Sequence, residues 1–272
     1  KVKKLHNSMN IIYLFYMKNL KYTFKKFNLP NNTIIIYGNH SSKSALNNKN
    51  RKILSLATTK KFYRYWEEYL KNINLNVNII ILEIKELDLI TKNNTHQNVI
   101  VFAKKLNKYS LNQYLTDYDK EYQKVLILDQ LTDPNNVGAI IRSAFAFKFD
   151  AVCILKNKSA SETSSIIKAS AGEIEKIMLI ELGNLVQEIQ KLKKNGFIIY
   201  SLCNEGKVSI RDVDKNDKKI ALIVGSEGKG VRNLTKKYSD YILKIPINEN
   251  CDSLNVSNAA AIALYEISQN KN

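Results

Sequence analysis

Six runs of largely apolar residues recur through the second half of the chain, at Val125–Leu128, Ala151–Leu155, Lys176–Ile180, Phe197–Leu202, Ile220–Val224 and Tyr241–Ile245. Stretches of helical character separate them, the clearest being Asn184–Lys194. A strand that is apolar along its whole length is buried on both faces. Such strands, alternating with helices, build a parallel sheet with helices on either side. The pattern therefore predicts an α/β parallel-sheet domain over residues 122–272, without internal repeats.

The first half predicts a smaller α/β unit over residues 32–104. Thr33–Tyr37 reads as a buried strand ending at Gly38, and a polar helix follows over Ser41–Asn47. Further strands are expected at Ile53–Ala57, Val77–Leu82 and Asn98–Ala103. A helix over Lys60–Asn72 carries Phe62, Tyr65, Trp66, Tyr69 and Leu70 at helical spacing, which favours core packing over a base-stacking platform. Residues 105–121 lie in a Lys-, Asn- and Tyr-rich stretch without periodicity and read as a linker.

Residues 1–31 read as a flexible basic extension. The apolar run Ile11–Met17 falls short of the roughly 18–20 residues that span a bilayer. Lysines rather than a small-residue cleavage site follow it, which disfavours a signal peptide, and scarce arginine disfavours an organellar transit peptide.

Charge bounds the partner. Against 25 acidic residues stand 42 Lys and Arg, a formal net charge of +17, and no acidic residue precedes Glu67. Such an excess suits a polyanion, above all a nucleic acid. Cys153, Cys203 and Cys251 lack C-x-x-C spacing, and His6, His40 and His96 are scattered, so neither a disulfide framework nor a metal site is expected. A reducing, cytoplasm-like compartment fits, and no membrane-spanning run is present.

Three blocks carry chemistry. Asp129–Ser143 follows the first strand of the second domain. There Pro134, Asn135 and Asn136 read as a turn, with a helix starting at Gly138 and Arg142 one turn in; helix N-terminus plus guanidinium is an anion site, and a solvated helix arginine is the alternative reading. Ile223–Arg232 is a buried strand entering a glycine turn. Its Gly225-x-x-x-x-Gly230 lacks the Lys-Ser/Thr of a phosphate loop and contains Glu227, so close backbone approach to a small, nearly neutral ligand fits better. Cys251–Ala259 clusters Ser253, Asn255, Ser257 and Asn258 at the start of an apolar helix, Ala260–Ile267, more short polar residues than a cap alone requires.

In this order the blocks resemble motifs one, two and three of the SpoU (TrmH-type) RNA ribose 2′-O-methyltransferases. Asn39-His40-Ser41 and Thr95-His96-Gln97 resemble parts of the L30e-like RNA-binding domain found before many of these enzymes. The resemblance implies a C-terminal α/β-knot domain with a deep trefoil, and S-adenosylmethionine as cofactor without a metal. It places cofactor contacts at Gly225, Ile245 and Leu254, and catalytic positions at Arg142, Asn136, Glu227, Ser253 and Asn255. The expected substrate is a ribose 2′-hydroxyl in RNA, first a guanosine of large-subunit ribosomal RNA. A tRNA methyltransferase of the same fold and a catalytically silent RNA-binding or ribosome-assembly protein stay open. A homodimer through the knotted domain is also implied, and the C-terminal helix has more apolar surface than one buried stripe needs.

Overall fold

The structure, a computed structural model, describes residues 27–30, 32–156, 162–214 and 216–269. The expectations for residues 1–26 lie outside the described residues. The chain divides into two compact units, Lys1–Leu106 and Asn107–Asn272.

The first unit has four strands, β1 (Thr33–Tyr37), β2 (Ile53–Thr58), β3 (Ile79–Ile81) and β4 (Val99–Lys104). They form a sheet in the order β1-β4-β2-β3, with β4 antiparallel to β1 and β2, and β2 parallel to β3. Its helices are α1 (Asn39–Asn47), α2 (Tyr63–Asn72) and α3 (Ile84–Thr91). The aromatic residues of α2 divide as their spacing dictates. Trp66 and Leu70 enter the core, while Tyr65 stays 46% exposed. The unpredicted α3 starts at a capping box in which Glu83 and Glu86 satisfy each other's backbone N–H groups. The two segments flagged in this unit meet: the Asn39 N–H donates to Gln97 Oε1 (2.8 Å) and the Gly38 N–H to the His96 carbonyl (3.2 Å).

The second unit is one sheet of eight strands. They are β5 (Tyr109–Ser110), β6 (Gln123–Asp129), β7 (Ala151–Leu155), β8 (Met178–Leu182), β9 (Ile198–Leu202), β10 (Val208–Ser209), β11 (Lys219–Gly225) and β12 (Tyr241–Lys244). The order is β10-β12-β9-β11-β6-β7-β8-β5, and every pairing is parallel. Each residue of the central β6 is buried, as a strand covered on both faces requires. The helices are α4 (Leu111–Asp117), α5 (Pro134–Ala146), α6 (Ser164–Ala169), α7 (Leu185–Lys194), α8 (Asn233–Tyr238) and α9 (Val256–Ser268).

Two expectations differ from this. The stretch 105–121 is not a bare linker: β5 pairs with β8, and α4 buries Leu111 and Tyr114 behind a Ser110–Gln113 capping box. Nor does the motif-one helix begin at Gly138. It begins at Pro134, capped by Asp133, whose carboxylate accepts from the Asn135 and Asn136 N–H groups. Asp at the cap and Pro in the first turn are both suited to a helix start. Position 138, inside the helix, is glycine because a Cβ there would meet Ala169 Cβ at 2.4 Å, so glycine lets α5 and α6 touch.

Candidate functional site

Ligands of open parallel sheets bind outside the carboxyl ends of the strands. Here the loops leaving β9, β11 and β12 converge with the approach to α9 around a cavity of about 440 Å³. The glycine turn forms one wall. The Ser226 N–H donates to the Gly230 carbonyl (3.2 Å) and the Gly230 N–H to the Ser226 carbonyl (2.9 Å), closing a narrow loop. Gly225 lets it close. A Cβ there would lie 2.2 Å from the Gly230 oxygen and the Val231 nitrogen, so the space is taken by the turn's own backbone. Close approach is needed, as expected, but chain against chain rather than chain against ligand.

Ile245, Ile247 and Leu254 supply apolar lining from the segment after β12. The family resemblance puts the knot walls at motifs two and three, which line this cavity. The third wall, Cys203, Asn204 and Glu205 after β9, was not anticipated. Asn204 Nδ2 donates to the Asp252 carbonyl (3.0 Å) and ties this loop to motif three. Glu205 pairs with Lys236, whose ammonium hydrogen bond holds the carboxyl below the usual Glu range, while Glu205 raises the lysine in return. Burial pushes the Cys203 thiol up. The available signal was the run Cys-Asn-Glu-Gly immediately after a buried parallel strand.

Glu227, Ser253 and Asn255 line the same cavity. Asn136 joins them through hydrogen bonds. Its Nδ2 donates to Glu227 Oε1, and its Oδ1 accepts from Asn255 Nδ2 at 3.4 Å. The other face of the Asn255 amide caps α9, accepting from Ser257 N–H (2.9 Å) and Asn258 N–H (3.4 Å). Asn255 is thus both the helix cap and a link between motifs, while Ser257 Oγ also donates to it (2.6 Å). Of the eight flagged positions, Gly225, Ile245, Leu254, Glu227, Ser253 and Asn255 line one cavity, and Asn136 bonds to two of them.

Arg142 is the exception. It is exposed, does not line the cavity, and makes no hydrogen bond or ion pair among the described residues. The early start of α5 puts it roughly 12 Å up the helix axis from Pro134. The expected anion site of helix N-terminus plus guanidinium therefore does not form within the chain.

The donor set suits S-adenosylmethionine. The volume is that of a small-molecule site, and it offers aliphatic walls for an adenine ring beside backbone and carboxylate acceptors. Among the described residues no group of three His, Cys, Asp or Glu could hold a metal, and no helix is long and apolar enough to cross a membrane.

Fold and site together define an α/β protein with a small-molecule cavity at the carboxyl edge of a parallel sheet. The chain belongs to the SpoU RNA methyltransferase family, and its cofactor is S-adenosylmethionine: residues 123–265 match the SpoU rRNA Methylase family and residues 35–109 the family described as RNA 2′-O ribose methyltransferase substrate binding. An uncharacterized tRNA/rRNA methyltransferase of Borreliella burgdorferi is 36% identical over 208 residues, 72% of this chain and 90% of its own. A putative TrmH family tRNA/rRNA methyltransferase of Staphylococcus epidermidis is 34% identical over 239 residues, 86% of this chain and 94% of its own. The AdoMet-bound rRNA methyltransferase of Sinorhizobium meliloti shares the fold with a TM-score of 0.75 at 20% identity, over 94% of this chain and 93% of that one.

Proposed function

We propose that this chain transfers a methyl group from S-adenosylmethionine to a ribose 2′-hydroxyl of RNA, and that the target is a guanosine of large-subunit ribosomal RNA. The observation that carries the transfer is the hydrogen-bonded chain Asn255–Asn136–Glu227, which joins all three motifs at the mouth of the cofactor cavity. The ribosomal assignment follows the family resemblance; the +17 charge supports an RNA partner of either kind, and a tRNA substrate is the alternative.

The bound cofactor supplies a methyl group already activated on a sulfonium. The chain must hold a ribose hydroxyl in line with it and take up charge as the hydroxyl proton leaves. Glu227, fixed by Asn136, is an acceptor for a ribose hydroxyl at the cavity edge. Gly225, Ile245 and Leu254 shape the cofactor seat. Ser253 offers a further hydroxyl there.

Arg142 is the electrostatic partner of the developing alkoxide, since a guanidinium stays protonated and is a poor base. Within one chain it is off the cavity, so it acts on the cavity of a second copy. The homodimer forms through α5 and α9. These helices pack together, and α9 leaves Ile262 39% and Tyr265 50% exposed, with Tyr265 edge-on to Phe147. Light scattering tests the dimer: an active species of one chain's mass contradicts it. Mapping 2′-O-methyl positions in RNA from cells with and without the protein tests the substrate.

A further inference from the structure

A separate cavity of about 370 Å³ opens beside the carboxyl ends of β7 and β8. It shares no lining residue with the cofactor cavity, yet both flank one short segment. Gly230 and Val231 line the cofactor cavity, and Arg232 lines this one. Gly230 and Arg232 are two residues apart and so lie at most roughly 7 Å from each other, within reach of a neighbouring nucleotide rather than of a remote part of an RNA.

The walls are aliphatic, with Leu185, Val186 and Leu234, and Leu234 is 57% exposed. An exposed leucine in a concave wall invites a flat apolar face. The polar groups are cationic. Lys156 is exposed, without a side-chain partner among the described residues.

Arg232 is held along one edge by Asp129, which is fully buried. Nε donates to Oδ2 (3.1 Å), and Nη2 lies 2.8 Å from Oδ1. Thr235 Oγ1 also donates to Asp129 Oδ2 (3.1 Å) and fixes the carboxylate. The Nη1 donors have no partner among the described residues, and the side chain is 39% exposed. A guanidinium pinned along one edge is preorganised to take an oxyanion on its free edge. Two cations beside a leucine wall match a nucleotide, with its phosphate on the cations and its base on the wall.

We propose that this cavity is a second RNA subsite, which holds a nucleotide flanking the one that is methylated. Its phosphate binds Arg232 and Lys156, and its base lies against Leu234. The proposal rests on the RNA methyltransferase reading above.

The test uses the full chain and three variants, Lys156→Glu, Leu234→Ser and the control Lys194→Glu. The control makes the same charge change at the far end of α7. Binding is read by anisotropy with a fluorescein-labelled, mixed-sequence single-stranded RNA of about 20 nucleotides, long enough to cover one such groove. A matching oligomer without bases serves as second probe, and S-adenosylmethionine affinity is read by calorimetry.

Lys156→Glu should weaken binding of both oligomers about tenfold, the effect of one lost charge-assisted contact. Leu234→Ser should weaken binding of the normal RNA by about the same factor, through the apolar area no longer covered by the base, and leave the base-free oligomer within twofold. Lys194→Glu should stay within twofold on both, and all variants should keep the wild-type cofactor affinity. If Lys156→Glu matches its control and Leu234→Ser matches wild type, the subsite is overturned. A wild-type chain that fails to bind S-adenosylmethionine would instead overturn the methyltransferase reading.

Discussion

Asn136 donates to Glu227 through its Nδ2 and accepts from Asn255 through its Oδ1, so one amide joins residues 91 and 119 positions away. An amide can do this because it carries a donor and an acceptor on one planar group. Asn136→Ala should leave Glu227 unheld and slow single-turnover methyl transfer by about ten- to a hundredfold, the worth of a hydrogen bond to a charged group. Asn136→Asp should be slower still, since it sets one carboxylate against another. Cofactor affinity should change less than twofold in both. A wild-type rate in either variant removes Asn136 from the site.

The glycine turn gives a paired comparison. A Cβ at Gly225 collides with the Gly230–Val231 backbone, whereas one at Gly228 meets nothing within 4 Å. Gly225→Ala should lower stability by ~1–3 kcal/mol, as overpacking does, and weaken cofactor binding. Gly228→Ala is limited to the strain of its φ of +76°, about 1 kcal/mol. Thermal shift and calorimetry check both. Equal effects would mean that the collision is relieved elsewhere.

Much of this was legible beforehand. The strands of the second unit stood out because they are buried on both faces and leave no polar alternation. Gly225, Ile245 and Leu254 were singled out through the family resemblance of their motifs, and the structure brings them to one cavity. The start of α5 was misplaced because Pro134 and two asparagines serve a turn as readily as a helix start, and Asp133 decides between them by capping. That shift of four residues is what moved Arg142 away from the helix terminus. The helix α4 was hidden because only Leu111 and Tyr114 of its seven residues are buried, too few to show a period. The bond between Asn136 and Glu227 is a product of tertiary packing and has no local sequence signal.

The Glu205–Lys236 pair makes a pH prediction. The carboxyl is depressed, so its contribution is present above the ordinary Glu range near ~4.3 and is lost as pH falls through the lower folded value. The ammonium is raised, so its contribution holds below the ordinary Lys range near ~10.4 and is lost as pH rises through the higher folded value. Lys236→Ala should therefore cost less than about 1 kcal/mol at neutral pH from the lost pairing, because the Glu205 side chain is 63% exposed. The difference from wild type should disappear in strong acid. Denaturant titrations at both pH values check this, and a gap that persists in acid would assign the effect to packing.

Asp129 is buried and accepts from the Arg232 and Thr235 side chains. Asp129→Ala should destabilise the protein by ~2–3 kcal/mol, the range for lost hydrogen bonds to a charged group. Because the Arg232 side chain remains 39% exposed, its freed charge can still reach water. Chemical denaturation measures the loss, and a change below about 0.5 kcal/mol would put the variant among ordinary surface substitutions.

The trans role of Arg142 is tested by mixing. Arg142→Ala should abolish transfer with cofactor affinity intact, and Gly225→Val should lose the cofactor seat. Mixed and allowed to exchange subunits, the two should regain part of the activity, because one cavity then has an intact seat and an intact arginine. No recovery in a mixture shown to exchange would mean that Arg142 does not serve a neighbouring cavity.

The most direct test of the whole account is product analysis. Unmodified ribosomal and transfer RNA, transcribed in vitro, are incubated with the full chain and methyl-labelled S-adenosylmethionine, digested to nucleosides and analysed by mass spectrometry. The account predicts label on the ribose oxygen of guanosine from ribosomal RNA, recovered as 2′-O-methylguanosine. Label on a base, or no transfer by a chain that binds both cofactor and RNA, would contradict it.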